Sequence, residues 1–150
     1  MKVARLVASM AAASVLAAGA LATPAEAASP KVQITRVYVN APGPDGHTNK
    51  SVNGEYVRIK NKGKKSVSLK GYTLRDRQHH VYTFGTFTLK PGKTVTVHTG
   101  KGKNTSGTLY MGRGWHIWNN SGGDSATLKN AGGGKVDSCS WKTVRSYKTC

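Results

Sequence analysis

Residues Trp118–Asn130 read WNNSGGDSATLKN, and their centre, GGDSA, admits two readings. Nucleophilic serines are displayed on tight turns, with a histidine base within about 3 Å and donors for an oxyanion. Two strands joined by a bend can carry the same letters. Here the bend is at Gly122-Gly123, where glycine supplies positive φ, and it precedes Ser125. From Asp124 the residues alternate, with Ala126 and Leu128 turned to the core and Ser125 and Thr127 turned to water. Asp124 is expected to cap the turn by accepting nearby amides. The stretch therefore reads as a bend entering a strand, and no residue is assigned a catalytic role.

Working outward, the same alternation recurs. KVQITRVYV (31–39) places Val32 and Ile34 on one face, then Val37 and Val39, a parity change that implies a β-bulge or a strand that shifts sheets. EYVRIKN (55–61) turns Val57 and Ile59 inward and Tyr56, Arg58 and Lys60 outward. SVSL buries Val67 and Leu69, GYTLRD buries Tyr72 and Leu74, and TVTVHTG buries Val95 and Val97. HVYTF, TFTL, LYMGRGWHIWNN and GKVDSCSW supply further short strands. Turn residues return about every 8–12 positions, and nothing after the first residues sustains a helical period; this is the signature of an all-β sandwich or barrel. APGPDGHTNKSVNG (41–54) is expected to be a loop, and GKGKNTSG (100–107) a mobile one.

The first 27 residues stand apart. Lys2 and Arg5 precede an apolar run, mostly Ala, that ends at Ala25-Glu26-Ala27, the layout of a cleavable secretory signal. The domain is then residues 28–150, about 120 residues and one core, secreted, with no membrane span after cleavage. The whole chain has 23 Lys and Arg against 6 Asp and Glu, a formal charge of +17. Losing Lys2, Arg5 and Glu26 leaves it near +16, beyond the magnitude of about 2–8 that solubility asks of a small domain. Such a field attracts polyanions, whether nucleic acid or anionic wall polymer. The two cysteines, Cys139 and Cys150, are expected to form one disulfide that pins the C-terminal tail.

Four segments, in order, carry a family resemblance: GEYVRIKNKGKKSVSLKGYTLRD (54–76), FTLKPGKTVTVHTGKG (87–102), and the Trp-Asn-Asn and Gly-Asp-x-Ala-x-Leu portions of LYMGRGWHIWNNSGGDSATLKN (109–130). Together they resemble the lamin tail domain, over about Val32 to Trp141. The resemblance implies an immunoglobulin-like β-sandwich, of the kind bacterial secreted proteins carry alone or beside hydrolases and nucleases. It implies no shared catalytic residues and a role in binding or scaffolding. The chain departs from the lamins in having no coiled-coil rod, so filament assembly is not carried over.

The remaining candidates are surfaces. His47, His79, His80, His98 and His116 are scattered, and His79 and His80, adjacent on a strand, would point to opposite faces; no metal or cofactor site is read from them. Arg58, Lys60, Lys62, Lys64, Lys65 and Lys70 are expected to form one basic ridge, extended by Arg75 and Arg77, with Tyr56 placed to stack on a base or sugar. The same charges would also protect an edge hairpin from strand-to-strand association. Trp115 and Trp118 flank His116, and at least one of them should be core; the family resemblance implies Trp118 and leaves Trp115 open. The expected function is a secreted non-catalytic module that holds polyanions. The alternatives are a protein partner bound along a sheet edge and a hydrolase built on Ser125 or a histidine.

Overall fold

The computed structural model describes residues 31–40, 43 and 46–150. The signal sequence read at 1–27 lies outside these residues. Eleven strands and one short helix follow in the order β1 (Val32–Tyr38), α1 (Asn49–Val52), β2 (Tyr56–Asn61), β3 (Val67–Ser68), β4 (Thr73–Arg75), β5 (Val81–Thr83), β6 (Thr88–Leu89), β7 (Thr94–His98), β8 (Thr108–Tyr110), β9 (Asp124–Lys129), β10 (Lys135–Trp141) and β11 (Tyr147–Thr149).

Five strands pair in the order β11-β1-β2-β7-β8, four in the order β10-β9-β4-β5, and β3 pairs with β6 alone. All pairings are antiparallel except β7 with β8. The architecture is an immunoglobulin-like β-sandwich. Its core is made by the inward residues of both sheets, as the alternation required: Val57, Ile59, Val95 and Val97 from one, Leu74, Ala126 and Leu128 from the other.

The parity change in β1 is a bulge, with the register against β2 shifting between Ile34 and Arg36. A bulge leaves ladder groups unpaired, and here their partners come from the chain's end. The Ile34 amide donates to Asp137 Oδ2 of β10 at 2.7 Å, and the Cys150 amide donates to the Thr35 carbonyl at 3.1 Å. The Cys139–Cys150 disulfide is formed and joins β10 in one sheet to the residue after β11 in the other. It closes a short loop, so replacing both cysteines by serine should cost about 2–3 kcal/mol in the loop-entropy picture. The check is chemical denaturation of the oxidised protein beside that variant. An equal midpoint would show that Asp137 and the β1–β11 ladder close the sandwich unaided.

Some local expectations are corrected. The 41–54 loop contains α1, capped by the Thr48 side chain accepting from the Ser51 amide, and α1 buries Val52. Only Leu109 and Tyr110 of the LYMGRGWHIWNN segment are strand, as the end of β8; from Met111 the chain is irregular because it crosses to the opposite sheet. The GKGKNTSG loop is tied down rather than free. Asn49 and Asn53 side-chain amides both donate to the Lys101 carbonyl, and Asn104 accepts the Tyr110 amide.

Candidate functional site

The GGDSA bend behaves as a clamp. Gly122 and Gly123 adopt φ of +76° and +85°. Asp124 is only 3% exposed and accepts three backbone amides: Arg77 at 3.0 Å, Asn119 at 2.8 Å and Ser125 at 2.7 Å. It thereby ties the β4–β5 turn to the start of β9. Ser125 is half-exposed beside a depression of about 640 Å³ lined by Arg77, Gly123, Ser140 and Trp141 among others, with no histidine among its described lining residues. Trp118 is buried against Trp141, their centroids 6.4 Å apart, whereas Trp115 is 64% exposed and meets His47 edge-on.

A polar chain missed by sequence reading lies at the α1 end of the sandwich. His116 Nε2 is 3.2 Å from Ser51 Oγ and 3.3 Å from the Gly46 carbonyl, and its Nδ1 is 3.2 Å from Glu55 Oε1. Serine, histidine and carboxylate follow in the order of a hydrolytic triad, but the bonding differs from one. The Nδ1–Oε1 contact does not have hydrogen-bond geometry, and Ser51 Oγ already accepts the Gly46 amide at 3.2 Å. What the chain does is brace loops: Glu55, 1% exposed, accepts the Ile117 amide at 3.0 Å while His116 holds the segment before α1. Burial pushes the Glu55 carboxyl up to about 7 from 4.5, outweighing the Ile117 amide and the His116 charge, which pull it down.

His79 and His80 are in the β4–β5 turn, not on a strand. His79 has φ of +70°, and His80 donates its backbone amide to Asp76 Oδ1 at 2.7 Å, with its Nδ1 2.6 Å from Oδ2. His80 is therefore spent on that turn, and His79 is exposed.

The basic ridge is redistributed by the topology. β2 is the middle strand of its sheet, so Arg58 and Lys60 are not part of an edge hairpin. Lys64 and Lys65 are exposed on the turn shaped by buried Asn61, whose side chain donates to the Lys65 and Leu89 carbonyls. Lys70 lies on the crossing toward β4, which carries Arg75 into the opposite sheet, and Arg77 lies beyond it near Gly123. Lys70, Arg75 and Arg77 thus do not share the face of Tyr56, Arg58 and Lys60.

That outer face gains a member instead. Past the bulge, Arg36 is directly opposite Arg58 on the neighbouring strand. Like charges so placed repel. Among the described residues the ion pairs are His80–Asp76 and His116–Glu55, and neither includes a Lys or Arg. Beside Arg58, a groove of about 520 Å³ is lined by Thr35, Lys60, Lys62, Thr94 and Thr96. Cations and hydroxyl donors converge there, the chemistry of an anion site. The sheet edges are less inviting: β5, β8 and β11 have three residues each, and the longer β10 is tethered to β1 through Asp137.

Comparison with curated proteins found no match. The model of one family, described as Lamin Tail Domain, matches residues 25–143, which span the clamp at Asp124, the Asn61 turn and every strand but β11. With most of its length matched and the sandwich in place, the chain belongs to the lamin tail domain family.

Proposed function

We propose that this chain is a secreted, non-catalytic binding module that holds polyanions on the outer face of its five-stranded sheet. The family is one of non-enzymatic β-sandwich modules with binding or structural roles, which supports the general class. The polyanion reading is carried by one observation: Arg36 and Arg58 oppose each other with no acidic partner among the described residues, beside a groove rich in lysine and threonine. A bound phosphate or sulfate would convert their mutual repulsion into two favourable contacts. The net charge near +16 left after loss of the signal draws the ligand in, and the face holds it.

Fluorescence anisotropy with a labelled DNA duplex, at low and high salt, tests this. Affinity should fall steeply with salt. Arg36→Gln/Arg58→Gln should weaken binding at least about tenfold and reduce the salt slope by about two. Lys64→Gln/Lys65→Gln removes the same charge away from the Arg pair and should do distinctly less. Equal losses in the two variants, or no salt-dependent binding, would overturn the assignment to this face.

A further inference from the structure

The same face has a second band, which the proposed function leaves unused. Cross-strand register aligns one aromatic ring from every strand of the five-stranded sheet. Tyr147 is opposite Tyr38, Tyr38 opposite Tyr56, Tyr56 opposite His98, and His98 opposite Tyr110. Neighbouring centroids are 5.7, 5.1, 5.5 and 5.4 Å apart, so the contact is continuous across the sheet. The three tyrosines from β11, β1 and β2 lie with planes 19° from parallel at each step. The near-parallel pairs are offset at these separations, whereas Tyr56 and His98 meet edge-on at 63°. Tyr147, at the edge of the row, is 46% exposed, and the other four are half-buried.

Two residues along each strand, about 6–7 Å away, runs the polar band: Thr149, Arg36, Arg58, Thr96 and Thr108, in register. The bands are linked. The Arg36 guanidinium is 4.4 Å from the Tyr147 centroid, and that of Arg58 is 5.2 Å from the Tyr56 centroid. Stacking of this kind holds a guanidinium on its ring while its N–H groups can still meet an oxyanion.

A duplex or a phosphate-linked wall polymer would engage only the charged band, because neither offers free π faces. Single-stranded nucleic acid offers both chemistries, with unpaired bases on one side and phosphates on the other, at an offset comparable to that between the bands. We infer that the preferred ligand of this face is single-stranded nucleic acid, laid across the strands with bases over the aromatic row and phosphates over Arg36 and Arg58. This rests on the polyanion reading and narrows it. His98 is built into the row as a fixed ring, its Nδ1 2.7 Å from the Asn53 carbonyl.

The test is competition. The full chain is titrated with a labelled thymidine oligonucleotide, a duplex of equal charge, and poly(glycerol phosphate), with Tyr38→Leu/Tyr56→Leu and Tyr147→Ala as variants. Single strand should bind at least about tenfold tighter than the other two. The tyrosine variants should lose most of that preference; because Tyr147 and Tyr56 also hold Arg36 and Arg58, duplex affinity should fall too, but by less than single-strand affinity, with the salt slope kept. Tyr147→Ala removes an exposed edge ring, so it keeps the test intact if the double variant unfolds. Equal affinity for single strand and duplex, unchanged by Tyr147→Ala, would overturn the stacking proposal and leave the polyanion face standing. Tightest binding to poly(glycerol phosphate) would do the same in favour of the wall polymer. Absence of salt-dependent binding to any probe would remove both.

Discussion

Asp124→Ala should be the most destabilising single change outside the apolar core, costing about 4 kcal/mol. The carboxylate accepts the Arg77, Asn119 and Ser125 amides while almost wholly buried. Each donor stranded by truncation costs about 1–3 kcal/mol, and bonds to a charged acceptor lie at the upper end. Some amides will recover water, because the bend at Gly122-Gly123 borders an open depression; hence a figure below the sum. At about 4 °C per kcal/mol the melting point should fall by about 15 °C. Asp124→Asn separates acceptor from charge. Its remaining carbonyl can keep the two bonds made by Oδ1, to Arg77 and Ser125, while Oδ2 is lost to Asn119. A loss of about 1–2 kcal/mol is expected for it. If Ala lies within 1 kcal/mol of wild type, Asp124 is not the clamp and the glycines alone set the bend.

The contrast between Asp124 and the basic ridge shows what a sequence can carry. Asp124 was legible because its principal work is local: a polar residue after two glycines, followed by alternating Ala126 and Leu128, has few alternatives. The inward Val57, Ile59, Val95 and Val97 were legible for the same reason, since period-two alternation is a property of a single strand. The ridge is not legible in this way, because nearness in sequence is not nearness on a surface. Between β2 and β4 the chain leaves one sheet, passes through β3 and enters the other, so Lys70 and Arg75 leave the face of Lys60. The Arg36–Arg58 pair and the aromatic row depend on which strands are neighbours and on the one-residue slip at the bulge. Tyr38 and Tyr147, near opposite ends of the domain, carry no local mark of their contact. Glu55 and His116 are the same kind of case, a pair assembled only when the segment after β8 crosses back over α1.

That pair makes the second large prediction, a pH dependence of unusual sign. For most carboxylates a native partner lowers the pKa, and stability is lost as pH falls. For Glu55 burial raises it from 4.5 to about 7, so between those values the folded state binds more proton than the unfolded state. Stability then decreases with rising pH. The contribution is fully present below 4.5 and is lost as pH rises to about 7, after which it is flat. A shift of this size corresponds to about 3 kcal/mol. Other groups titrate over the same range, so the quantity to measure is the difference between wild type and Glu55→Gln. The glutamine keeps an acceptor for the Ile117 amide but cannot ionise. Wild-type stability relative to the variant should decline by about 3 kcal/mol from pH 4.5 to above 7, in urea denaturation at several pH values. A difference that stays level, or grows with pH, would mean that Glu55 is ionised in the fold and that its 3.2 Å contact with His116 is an ion pair strong enough to offset burial. In that case Glu55→Gln would be the less stable protein at neutral pH. A decline is distinct from a level or rising difference, so one denaturation series decides between a protonated acid buried for packing and a buried charge held by histidine.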